Sequence, residues 1–175
     1  MPNLFKELRK RALRTPDVGE LIHNDNPIFL FDAIHLKVNG KANMMIRRPE
    51  VDWLGRAYVN PEEKLIFKLT GDNKEPIMSR TAPHSVNRTI KGDLFKVNGL
   101  TISILDRFFM NGDWFKRESI EVYHKDHETG LLMIVNAFCY LATTPYWKSD
   151  VRSLGYTSAK IGTTETKNID YFEYN

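Results

Sequence analysis

Cysteine is almost missing: Cys139 is the only one in 175 residues, so no disulfide can form within the chain. A fold without that staple relies on its apolar core, and sparse cysteine fits a reducing compartment, so a cytoplasmic setting is expected. Long hydrophobic runs are missing too. No stretch approaches the roughly 20 apolar residues that span a bilayer, and no apolar signal core follows the basic residues Lys6, Arg9, Lys10, Arg11 and Arg14, so no membrane partner is expected. Neither sign of charge dominates. The net charge of +3 is too small to argue for a nucleic-acid partner by itself. Repeats, low-complexity tracts and linker-like composition shifts are also absent. What is there, 42% apolar and 27% charged residues, is the balance of a globular chain, and its length suits one domain over residues 1–175.

Periodicity divides that domain into a basic N-terminal helix over 1–16, a core over 27–142 and a C-terminal extension over 143–175. Leu4, Leu8 and Ala12 recur at helical spacing beside Phe5 and Leu13, which predicts an amphipathic helix over 3–14 ended by Thr15-Pro16. Its basic side suits the solvated face of a docked helix, or an arm for an anionic partner such as nucleic acid. Residues 28–36 read as a buried strand with Asp32 as its oddity. A short helix is expected over 41–48, and strands over 53–59 and 65–69 around the Asn60-Pro61 turn. Pro76 and Pro83 mark 72–87 as a long loop or irregular hairpin. Residues 89–97 resume strand character.

Leu100, Ile104 and Phe108, four apart, with Leu105 and Phe109 beside them, predict a short amphipathic helix over 99–109. Residues 115–124 alternate, with Ile120 and Val122 on one face and Glu121 on the other. A polar turn at 125–130 joins them to 131–141, a strand expected to be buried on both faces, in which Cys139 is an inert core thiol. The tail from Thr143 onward yields no assignable element.

Several motifs carry little. His124, His127 and Glu128 have metal-like residue types, but one short spacing in a hairpin turn supplies no third and fourth ligand, so no metal is expected. No cofactor is implied. Ser85 and His84 lack a nucleophile elbow, and the Asn87-Arg88-Thr89 sequon matters only in a secreted chain. Tyr140, Tyr146, Trp147 and Tyr156 suit either stacking on a planar ligand or packing in the core and rim.

An ordered set of blocks is more informative. Residues 90–97, Ile-Lys-Gly-Asp-Leu-Phe-Lys-Val, resemble the V-x-G-E-L-Y-x-V strand of the γ-glutamyl cyclotransferase-like superfamily. Leu105-Asp106-Arg107-Phe108 resembles its L-D-R-F helix end, residues 114–118 its W-Y-R-R-E segment, and residues 53–57 its F-L-G-R-A strand. Residues 28–36 lie where its first strand and Y-G-S/T loop belong. The blocks keep order and spacing over about residues 27–142. The resemblance implies an α+β fold, a small twisted mixed β-barrel with flanking helices and a cavity at one end.

The resemblance also implies a chemistry, in which the α-amine of a γ-glutamyl amide attacks its own γ-carbonyl to give 5-oxoproline and a free amine. An ammonium has no lone pair, so a glutamate must first take its proton and later return it to the leaving amine, while backbone N–H groups of the glycine loop hold developing charge. Here the expected glutamate is Phe109 and the glycine after it is Met110. The loop is Phe31-Asp32-Ala33-Ile34, with Asp32 at the glycine. The expectation is a catalytically inactive relative that binds a small molecule or protein through Phe31, Asp32, Ala33, Ile34, Phe109, Trp114 and Phe115. The alternatives are a diverged cyclotransferase with Asp32, Asp113 or Glu118 as a relocated base, and a nucleic-acid-associated protein using the basic arm. Asp106 is expected to bond backbone N–H groups at the helix end.

Overall fold

The apolar residues of the first strand split between two cores, and that division organises the fold. The computed structural model describes residues 27–37, 43–70, 75–80, 89–126, 128–143, 159–164 and 169–174. Strands β1 (Ile28–Asp32), β7 (Leu132–Ala142), β6 (Phe115–Lys125), β2 (Asp52–Val59) and β5 (Thr89–Val97) follow one another around a barrel. It closes where β5 pairs antiparallel with β1. The β1–β7 pairing is parallel, with Leu30 opposite Phe138, which makes the barrel mixed. Closure leaves these strands without a free edge over their paired lengths.

Successive side chains of β1 point to opposite faces. Phe31 enters the barrel interior with Ala57, Leu94, Ile120, Val122 and Cys139. Ile28 and Leu30 instead join an outer layer with Phe95, Val97, Ile102, Leu105, Phe109 and Phe115, beneath helix α1 (Gly99–Phe108). Asn98 caps α1 by accepting the Thr101 N–H at 2.9 Å. The strands also need one close approach. A Cβ on Gly92 of β5 would lie 2.6 Å from the Asp32 carbonyl oxygen and from the Phe31 ring, so only glycine lets β1 come this near.

The hairpin β6–β7 and strand β5 match expectation, and Cys139 is buried. Other expectations are corrected. The first strand stops at Asp32 rather than continuing to Leu36, because the Asp32 carboxylate takes over the following backbone donors. Residues 41–48 contain only a 3-10 turn, Asn43–Ile46, among those described. Strand β4 (Glu75–Arg80) runs through the expected loop and pairs with β3 (Leu65–Thr70) as a separate two-stranded sheet. The buried face of α1 is Thr101, Ile102 and Leu105 rather than Leu100, which is exposed. Leu131 through Ile134 are exposed, not buried on both faces, because β1 begins too late to cover that end of β7. The tail holds β8 (Ala159–Thr164) and β9 (Ile169–Tyr174), with β9 added in parallel to β5.

The expected N-terminal helix lies outside the described residues, as do His84, Ser85, Asn87, His127, Tyr146, Trp147 and Tyr156. No helix among the described residues is long and apolar enough to cross a membrane.

Candidate functional site

The loop after β1 is built on one carboxylate. Asp32 stands on the outward face of β1, nearly buried, and its Oδ2 accepts the N–H of Ile34 at 2.8 Å and of Leu36 at 2.9 Å. The side chain therefore does locally what a ladder partner would do, and the chain turns. Asp93 lies directly across on β5. Burial lifts the Asp32 carboxyl to about 6, with the Asp93 charge adding to the rise and the loop N–H groups of Leu36, Ile34 and His35 opposing it. Asp32 thus works as a turn-forming acceptor inside the protein.

Phe109 follows α1 and closes the other side. Its ring stacks on Tyr140 at 4.4 Å and 21°, and meets Phe108, Phe115 and His35 edge-on at 4.9, 5.2 and 4.9 Å. Stacked and edge-to-face contacts of this kind are the favoured aromatic arrangements. His35 is fully buried in this cluster, and desolvation pushes its imidazole down to about 3, so it is neutral at physiological pH. The following residue, Met110, has φ 49°, in the left-handed region where glycine is at ease. The backbone shape that a glycine would serve is present without the glycine.

A partly buried polar triad holds the Tyr140 side of the Phe109–Tyr140 stack. Asp106 Oδ2 accepts from Arg117 at 2.6 Å and its Oδ1 from the Tyr140 hydroxyl at 2.7 Å. Arg117 also lies 4.8 Å over the Phe138 ring. Burial raises the Asp106 carboxyl against the opposing pull of Tyr140 and Arg117, and burial likewise pushes the Tyr140 phenol well up. The partners of Asp106 are chiefly side chains of β6 and β7, so its role is to tie the end of α1 to the barrel wall rather than to cap backbone N–H groups.

The residues expected from the sequence divide between two packed clusters. Phe109 and Phe115 meet in the outer layer, with Trp114 half-buried against it. Phe31, Ala33 and Ile34 belong to the barrel interior. Glu118 pairs with Arg80 at 3.6 Å, and the Asp113 backbone carbonyl accepts the Thr143 hydroxyl at 2.8 Å. His124 is buried on β6, its Nδ1 3.0 Å from the Arg56 carbonyl.

A pocket that sequence reasoning missed opens on the outer face of β2 and β5. It encloses about 410 Å³ and is lined by Leu36, Ile46, Trp53, Arg56, Asp93 and Phe95, among others. Asp93 is nearly buried, and its Oδ1 accepts both Trp53 Nε1 at 3.1 Å and Arg56 Nη1 at 2.8 Å. The signal was an acid in the apolar strand 90–97 and an arginine in the block 53–57. Their meeting depends on strand register, which spacing along the chain does not disclose.

Comparison with solved structures gives the same fold. An AIG2-like protein (GGACT) of Mus musculus superposes with a TM-score of 0.55 at 18% identity, over 70% of this chain and 82% of that one. An allophanate hydrolase of Kluyveromyces lactis superposes with a TM-score of 0.50 at 12% identity, over 72% of this chain but 19% of the hydrolase. The chain therefore has the γ-glutamyl cyclotransferase-like α+β fold, a closed five-stranded mixed barrel with a flanking helix. No protein-family model and no curated protein sequence matches it.

Proposed function

We propose, with the γ-glutamyl cyclotransferase-like fold as premise, that the chain is a catalytically inactive binding or regulatory protein on that scaffold. The observation that carries this reading is Phe109, buried and stacked on Tyr140 at the position where the sequence resemblance places the glutamate base. Forming 5-oxoproline needs a group that removes a proton from the substrate's amine within about 2.6–3.2 Å. A phenyl ring cannot hold that proton. Its buried neighbour His35, pushed down to about 3, is a poor acceptor, and the other rings packed on Phe109 carry no carboxylate. The cytoplasm is the setting proposed with this role, on the strength of the single cysteine.

The second reading is a diverged cyclotransferase using Asp32, and the observation favouring it is a carboxyl lifted to about 6, near the working range of a general base. Against it stand the two N–H groups already on Oδ2 and the near-complete burial of the side chain. Calorimetric titration with a γ-glutamyl amide and with 5-oxoproline separates the two. The first reading expects no saturable heat. Saturable binding that disappears in Asp32→Asn would favour the second.

A further inference from the structure

The pocket on β2 and β5 is lined by neither Phe109 nor Tyr140, and its polar groups hold a fixed arrangement. Trp53 and Arg56 are three residues apart and would point to opposite faces of a regular strand. A register shift between Trp53 and Gly55, where Gly55 has φ 121°, inserts an extra residue and brings both onto the outer face. There both donate to the same oxygen of Asp93. The second Asp93 oxygen and the remaining guanidinium N–H groups of Arg56 have no hydrogen-bond partner among the described residues. One nearly buried carboxylate thus holds an indole and a guanidinium in fixed orientation at the mouth of a pocket floored by Leu36 and Phe95.

We infer that this pocket binds a small aromatic monocarboxylate. The open edge of the Arg56 guanidinium is a planar fork matched to a carboxylate. The exposed Trp53 indole offers a flat wall for a ring, and the apolar floor receives the ring's edge. A volume of about 410 Å³ sits near the lower end of the roughly 300–1,000 Å³ usual for small-molecule sites, which suits one or two rings. The ligand carries a single negative charge, because Lys37 on the same wall already has a partner of its own and a second charge would be set against the open oxygen of Asp93 at short range.

The inference rests on the reading above in taking binding, not turnover, as the role of the chain. It is tested by calorimetric titration of the full chain with benzoate, phthalate, cyclohexanecarboxylate and inorganic phosphate. Benzoate is expected to bind saturably at one site. Cyclohexanecarboxylate should bind more weakly, and phthalate and phosphate should give no saturable heat. Trp53→Leu, at a well-exposed side chain, should keep the wild-type melting temperature. Arg56→Met removes the ion partner of the nearly buried Asp93 and should melt lower while staying folded at the titration temperature. Each should weaken benzoate about tenfold or more. No saturable benzoate binding at millimolar concentration, equal binding in Arg56→Met, or phosphate binding as well as benzoate would each overturn it. Release of 5-oxoproline from a γ-glutamyl amide would refute the inactive reading and leave these outcomes to be judged separately.

Discussion

Phe109 and Tyr140 stack face to face at 4.4 Å, and the Tyr140 hydroxyl is itself held by Asp106 at 2.7 Å, so an apolar plug and a polar lock share one residue. Truncating Phe109 to alanine leaves a void that rigid neighbours on α1, β6 and β7 cannot fill. The expected cost is about 3–5 kcal/mol, read from the urea midpoint at unchanged m-value. A shift below about 1 kcal/mol would mean the cluster is loosely packed.

The polar lock makes a separate prediction. Arg117→Met leaves the partly buried Asp106 without its ion partner, and about 1–3 kcal/mol of destabilisation is expected. Adding Asp106→Asn removes the orphaned charge, so the double variant should be more stable than Arg117→Met alone. A double variant less stable by the plain sum of both single losses would contradict the coupling.

Met110 spends conformational energy at φ 49°. Met110→Gly relieves that strain, partly offset by the greater freedom of an unfolded glycine, so a gain of about 0.5–1 kcal/mol is expected. Denaturant titration showing a loss would mean that the Met110 side chain contributes packing that outweighs the strain.

Two buried groups of the loop after β1 give opposite responses to pH. His35, lowered from 6.5 to about 3, keeps fewer protons in the fold, so its contribution is full above 6.5 and lost as pH falls toward 3. Asp32, raised from 3.8 to about 6, keeps more, so its contribution is full below 3.8 and lost as pH rises to 6. Between about pH 4 and 6 the two slopes cancel. Asp32→Asn can still accept the Ile34 and Leu36 N–H groups but no longer titrates. The variant should therefore lose about 2 kcal/mol more than wild type on going from pH 6 to pH 4. Parallel pH profiles for the two proteins would refute the assignment.

Much of the barrel was legible in the sequence because β5, β6 and β7 are long and the β6–β7 turn is local. The ends of elements were less so. Pro76 reads as a breaker, yet it sits opposite Leu69 in a two-stranded sheet where a missing ladder donor is tolerated. The apolar run Leu131 to Ile134 reads as core, but exposure there is decided by where β1 begins, a non-local fact. β9 was invisible because its partner is β5, some eighty residues earlier in the chain (Thr89 opposite Ile169). Within the site, the replacement at Phe109 could be read from the resemblance. Its stacking on Tyr140 and the convergence of Trp53 and Arg56 on Asp93 arise only when the barrel closes.

Loss of the cyclotransferase reaction at Phe109 is measured by quantifying 5-oxoproline released from a γ-glutamyl amide by the full chain. No release above the uncatalysed background is expected, unchanged in Asp32→Asn. Release that rises with protein concentration and falls in Asp32→Asn would contradict it and make Asp32 the base.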